Sequence, residues 1–186
     1  QAVAELIRPT TCLIIQDDPY GDLRFSGERK VSFKRLVPKN TVLLGSFSKI
    51  VAPALRLGWL VAPPPIMDKL VIAKQAADLH SDYLAQRILY RYLCDNDIDA
   101  HIATIIAQYG KQKEAMIGAI KDFFPAEVRF TNPEGGMFLW VTLPEGISSM
   151  QLFEAAIKKK VAFVPGTPFY VDRKDSNTLR LNFSCS

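Results

Sequence analysis

Short apolar runs closed off by turn-forming residues punctuate the first third of the chain, and that punctuation constrains the fold more than any other feature. Cys12-Leu13-Ile14-Ile15 and Thr41-Val42-Leu43-Leu44-Gly45-Ser46-Phe47 are two of them. A third, Leu57-Gly58-Trp59-Leu60-Val61-Ala62, stops at Pro63-Pro64-Pro65. Runs this short, with β-branched residues, read as buried strands of a mostly parallel sheet. Residues 19–40 supply enough chain for the crossover that a parallel pair requires.

Past residue 66 the spacing turns helical through residue 93, with Met67, Leu70, Val71 and Lys74 in step. A second helix is predicted over residues 98–124, where Pro125 stops it. Residues 127–130 and 137–143 read as strands on either side of Asn132-Pro133-Glu134-Gly135-Gly136, whose glycines suit a tight turn rather than a phosphate. A helix near 149–159 and strands at 161–164 and 178–183 complete the pattern. The fold class is therefore α/β, its last part a small α+β layer, with a boundary between two lobes near residues 94–110.

Composition supports a globular chain able to bury a core, with 48% hydrophobic and 23% charged residues. No apolar run approaches the ~18–20 residues that a membrane-spanning helix needs, which excludes integral membrane function. The opening Gln1-Ala2-Val3-Ala4-Glu5-Leu6-Ile7-Arg8 has no signal-peptide layout and no initiating Met, and reads as if it starts partway along a longer chain. Lys and Arg number 23 against 19 acids, a spread excess of +4. Lys158-Lys159-Lys160 reads as a solvated helix end, since no aromatic residues interleave it as in a nucleic-acid patch. Cys12, Cys94 and Cys185 are far apart, odd in number and without metal-ligand spacing, so they read as buried reduced thiols in a reducing compartment.

Ligands of parallel α/β sheets bind beyond the carboxyl ends of the strands. The first run ends in Gln16-Asp17-Asp18-Pro19-Tyr20 and the second in Ser46-Phe47-Ser48-Lys49. If these strands are neighbours, their ends stand about 4.8 Å apart. Asp17 or Asp18, Tyr20 and Lys49 then converge on one crevice. An amine in a partly dry crevice is nucleophilic towards aldehydes. Ser46, Ser48 and Arg56 add the hydroxyls and guanidinium that grip a multi-oxygen anion. An amine, an anion cradle and a carboxylate together fit pyridoxal 5'-phosphate, which needs a lysine for its aldehyde, a grip for its phosphate and an acid at its ring nitrogen.

Asp17-Asp18-Pro19-Tyr20-Gly21-Asp22-Leu23-Arg24-Phe25 and the segment from Ser46-Phe47-Ser48-Lys49 to Leu55-Arg56-Leu57-Gly58-Trp59 resemble motifs of class I/II aminotransferases of fold type I. Asn132-Pro133-Glu134-Gly135-Gly136-Met137-Phe138-Leu139-Trp140 and Leu179-Arg180-Leu181-Asn182-Phe183-Ser184 are similar to motifs of that family's C-terminal domain. The subgroup resembled is the 2-aminoadipate and kynurenine type, whose motifs the aminotransferase-like domains of MocR-type regulators share. The resemblance implies that residues 1–97 are the C-terminal portion of a cofactor-binding large domain. It implies that 98–186 are a small C-terminal domain without its last helix. Lys49 would be the Schiff-base lysine and proton shuttle, Asp17 the partner of the pyridine nitrogen, and Tyr20 the donor to the phenolic oxygen. Ser46, Ser48 and Arg56 would hold the phosphate, and Arg180 would clamp the substrate carboxylate. Amino acid and 2-oxo acid substrates, a homodimer and a cytoplasmic setting follow from the same resemblance.

Some residues read better as structural. Asp18 suits an Asx-turn before Pro19, Arg24 an ion pair, His80 and His101 packing or a dimer contact, and Trp59 and Trp140 the core. Against the family pattern, Gln16 replaces an acid, and Ala54 replaces a glycine in the turn before Arg56, where a positive φ would strain it. The family's chain is about twice as long, so an uncovered apolar face and open strand edges are expected here, favouring association. Two other functions fit the same motifs. One is the effector domain of a regulator of the MocR/GntR type, with nucleic acid as a partner only through an upstream domain. The other is an inactive fragment that only dimerises.

Overall fold

The computed structural model describes every residue except Arg173, Asp175, Cys185 and Ser186; the reading of Cys185 as a buried thiol lies outside the described residues. The chain divides into two compact units, one of Gln1–Asp22 with Gly27–Ile105, the other of Leu23–Ser26 with Ile106–Ser186.

The first unit holds a three-stranded sheet in the order β1 (Ile14–Asp17), β2 (Thr41–Ser46), β3 (Gly58–Val61). β1 and β2 are parallel, with Ile14 opposite Thr41 and Asp17 opposite Leu44. Their crossover contains the short helix α2 (Phe33–Leu36), capped by the Ser32 hydroxyl. β3 runs antiparallel to β2, pairing Gly45 with Trp59 and Ser46 with Gly58. The connection 47–57 explains the reversal, because it holds only a turn and a 3-10 helix (Pro53–Leu55), too little for a parallel return. β3 is an edge strand exposed along its length, with Trp59 41% accessible, and Ile15 on β1 is 66% accessible. The burial expected for the runs of β1 and β3 is therefore not met, since a run buried on both faces needs cover on both; β2 is buried only at Thr41 and Val42. Trp59 is not a core residue; its indole lies across Gly45, where a Cβ would overlap the ring.

A single helical span over 66–93 is replaced by α3 (Pro64–Ala77) and α4 (Tyr83–Asp95). Leu79 adopts φ 64, which no helix tolerates, and the Asp82 carboxylate accepts from the Ala85 N–H to start α4. An N-terminal helix, α1 (Ala2–Ile7), went unread in the sequence because it is short and weakly patterned. Leu57, Ala85 and Leu89 form the buried cluster of this unit, with Phe47, Val51 and Leu55 packed on it. α4 thus holds the loop that follows β2. Cys12 and Cys94 are exposed free thiols, which corrects their reading as buried.

α5 (Ile98–Phe123) passes from the first unit into the second. There a four-stranded sheet has the order β4 (Arg129–Phe130), β5 (Phe138–Thr142), β7 (Thr178–Asn182), β6 (Val164–Pro165), antiparallel throughout. α6 (Ser149–Lys158) follows the Ser148 cap, and the lysine run leaves it exposed as expected. The core face of the sheet carries Leu139, Val141 and Leu179 against Ile117 and Ile120 of α5, with Phe183 fully buried among them. Leu23–Ser26 docks onto this unit. Gly136, at φ 87, donates its N–H to the Leu23 carbonyl at 2.7 Å, and Arg24 pairs with Glu134 as anticipated. Lys113, nearly buried, holds the same turn by bonding Asn132 Oδ1 at 3.1 Å.

Phe183→Ala empties the centre of this core and is expected to lower unfolding free energy by about 3–5 kcal/mol, read as a fall in the urea midpoint at unchanged slope.

Candidate functional site

Parallel pairing brings the C-terminal ends of β1 and β2 to one edge of the sheet. The ladder runs one residue further, since the Asp18 N–H donates to the Leu44 carbonyl at 3.1 Å. Asp17 closes β1 and is exposed on the face that Ile15 shares. Asp18 points to the other face, where its carboxylate lies so close to Gly21 that a Cβ there would stand 2.6 Å from it. That packing gives Asp18 a structural part.

The chain leaves β2 through a tight turn. The Val51 and Ala52 N–H groups both donate to the Phe47 carbonyl, at 2.8 and 3.2 Å, and Lys49 sits within the turn they close. Its Nζ lies 5.8 Å from the centroid of the Tyr20 ring. The amine and the phenol expected in one crevice are thus neighbours, within cation–π reach.

Beside them the Ser46 hydroxyl accepts from the Ser48 N–H at 3.1 Å. Arg56 Nη1 reaches the Ser48 hydroxyl at 3.5 Å and the Pro53 carbonyl at 3.3 Å. Among the described residues no carboxylate pairs with Arg56. Two hydroxyls and a guanidinium fit a phosphate, and a lysine amine next to a phenol fits an aldehyde on a hydroxypyridine. The strain expected at Ala54 falls elsewhere: Ala54 lies in the 3-10 helix, and Arg56 itself is left-handed at φ 52. The turn needs its positive φ at the end of the 3-10 helix, and Arg56 stands there.

Arg180 belongs to the second unit. It lies on β7 opposite Trp140 of β5 and Val164 of β6, on the sheet face away from Leu139 and Val141. Its guanidinium carbon is 4.0 Å from the Phe138 ring centroid and 5.1 Å from that of Phe169. Its Nε is buried with no hydrogen-bond partner. Trp140 is half-buried and stands edge-on to Phe169 at 5.3 Å, so it too is outside the core. The aromatic setting of Arg180 was missed in the sequence. The two-residue step from Phe138 to Trp140 on one strand face was the available signal; nothing local pointed to Phe169.

His80 bonds the Ser81 carbonyl through Nδ1 and His101 stands edge-on to Tyr92, both of them packing roles. The Tyr90 phenol ionises above its ordinary range, chiefly through its hydrogen bond with Cys94 one turn along α4 and then through the like charge of that group. Among the described residues no cluster of His, Cys, Asp and Glu could hold a metal ion. No helix among them is long and apolar enough to cross a membrane.

The family model for aminotransferase class I and II matches residues 1–186. Aromatic-amino-acid aminotransferase 1 of Thermococcus litoralis is 44% identical over 181 residues, covering 97% of this chain and 43% of that protein. The crystal structure of LysN, the alpha-aminoadipate aminotransferase of Thermus thermophilus, complexed with N-(5'-phosphopyridoxyl)-L-leucine, superposes with a TM-score of 0.93 at 36% identity. The match covers 98% of this chain and 48% of that one. An HTH-type transcriptional regulator of Bacillus subtilis, YisV, is 30% identical over 172 residues, 92% of this chain and 35% of its own. The chain spans less than half the length of each of these relatives.

Gln16 uses both ends of its amide. Nε2 donates to Asp18 Oδ2 at 3.2 Å and Oε1 accepts from the Phe33 N–H at 2.8 Å. Gln16→Glu keeps the acceptor but sets a second carboxylate against Asp18. Like charge raises carboxyl pKa values in the folded state, so the penalty is full at neutral pH and fades as acid protonates one of the pair. Urea melts are expected to show a loss of about 1–2 kcal/mol near pH 7 that shrinks on acidification.

Proposed function

The chain belongs to the aminotransferase class I and II family, and from that premise we propose that it is the lysine-bearing part of a pyridoxal 5'-phosphate-dependent aminotransferase. The substrates would be an amino acid and a 2-oxo acid. The observation that carries the proposal is the Lys49 amine standing 5.8 Å from the Tyr20 ring, beside hydroxyls and an arginine with which no carboxylate among the described residues pairs. Residues 1–97 would be the C-terminal portion of the cofactor-binding domain and 98–186 the small C-terminal domain.

When bound, the cofactor supplies an electron sink that makes the substrate Cα–H acidic. The protein's residues then have separate tasks. Lys49 would hold the cofactor through its amine, and the free amine would carry the proton to and from the substrate Cα. Asp17 accepts the ring N–H and keeps that nitrogen charged, an interaction worth about 1.5–3 kcal/mol as a charge-assisted hydrogen bond. Tyr20 donates its hydroxyl to the phenolic oxygen. Ser46, Ser48 and Arg56 bind the phosphate, and Arg180 orients the substrate through its carboxylate.

The same reading has the protein working in the cytoplasm as a homodimer. Exposed free thiols at Cys12 and Cys94 suit a reducing compartment. The apolar residues exposed on β3 suit burial against more polypeptide. A regulator's effector domain is the second reading, favoured by the similarity to YisV.

Titration with pyridoxal 5'-phosphate should produce a visible absorbance band, and borohydride should fix a pyridoxyl mass on the Lys49 peptide. Lys49→Ala should abolish both. Arg56→Ala should weaken cofactor binding about tenfold or more, in line with loss of a charge-assisted hydrogen-bond pair. A wild-type chain that shows neither band nor mass would overturn the proposal. Full cofactor capture without amino transfer to a 2-oxo acid, in the presence of the complete reading frame, would favour the regulator.

A further inference from the structure

We propose that Phe138 and Phe169 are positioning residues for Arg180, their rings holding the guanidinium so that its N–H edge meets a substrate carboxylate. The inference rests on Arg180 being the carboxylate clamp of the proposed function, and it adds the two side chains that aim it.

Three observations within the second unit carry it. The guanidinium carbon lies 4.0 Å from the Phe138 centroid and 5.1 Å from the Phe169 centroid, both inside cation–π range. Arg180 has no ion-pair partner among the described residues, and its Nε is buried without an acceptor. The rings attract the cation yet offer no oxygen, so the in-plane N–H groups are left for a planar, two-oxygen acceptor from outside the protein. A carboxylate is the ligand of that geometry.

The support is itself anchored. Phe138 stands two residues from Trp140 on β5, diagonal to Arg180, as cross-strand neighbours on one face must. Trp140 meets Phe169 edge-on at 5.3 Å with planes 88° apart, which fixes the second ring from behind. Phe169 ends the 3-10 helix Thr167–Phe169 and is half exposed, so it contributes little to the core. It is better placed to steer Arg180 than to stabilise the fold.

The test uses butyrate, an unreactive carboxylate, and the ¹⁵N-arginine side-chain Nε–Hε resonance of Arg180, identified by its loss in Arg180→Lys. In the unaltered chain the resonance should be displaced by the ring currents and should move on butyrate addition. Phe169→Leu and Phe138→Leu should each reduce that displacement and weaken butyrate about five- to tenfold, whereas Phe169→Tyr, which keeps the ring face, should restore both. Phe169→Leu carries the test if Phe138→Leu fails to fold. Unchanged butyrate affinity in the leucine variants would overturn the positioning role. A ring-shifted resonance that butyrate leaves unmoved would overturn it by removing the carboxylate instead. Neither readout needs the cofactor, so failure of Lys49 to capture pyridoxal 5'-phosphate would be seen separately.

Discussion

The parallel pairing of β1 with β2 is the constraint on which the rest of the first unit depends. Only when two strands run the same way do their carboxyl ends finish side by side. The register Asp17 opposite Leu44, continued by the Asp18-to-Leu44 hydrogen bond, sets the strand exits level. From there Tyr20 needs a short arc and Lys49 a single turn to become neighbours. A slip of one residue would turn Asp17 to the opposite face and carry the Lys49 turn out of step with Tyr20.

The loop after β2 owes its shape to packing rather than to its own chemistry. Phe47, Val51, Leu55 and Leu57 settle on Ala85 and Leu89 of α4, so an apolar cluster behind the loop holds the polar groups in front of it. In the second unit the sheet divides its labour by face. Leu139, Val141 and Leu179 face the core, and Phe138, Trp140 and Arg180 face outwards. Alternation along a strand is enough to make a core face and an aromatic, arginine-bearing face from the same few residues.

Much of this was legible in the residues. The strand exits named Lys49, Tyr20 and the Ser46–Ser48–Arg56 group, and the helices after residue 98 read with nearly correct ends because their periodicity is long. What failed did so for lack of tertiary information. β3 looks like β1 and β2 in composition, and only the short 47–57 connection marks it as an antiparallel edge. Cys12 and Cys94 lie at the surface against the burial expected of them, because local sequence does not say which side of an element meets water. Leu79, which divides α3 from α4, carries no glycine or proline to announce the break. The Phe169 contact spans loops that no local pattern joins, whereas the Gln16 bridge to Asp18 and Phe33 needed the crossover to be folded before it could be seen.

Arg56 occupies a backbone conformation that glycine would adopt freely, at a cost on the order of 1–2 kcal/mol for a residue with a Cβ. The guanidinium and the left-handed φ therefore make opposite demands on one position. Breeding this protein for heat resistance would reward glycine there, and the hardiest descendants would be those that had given up the guanidinium beside Ser48 for a relaxed turn.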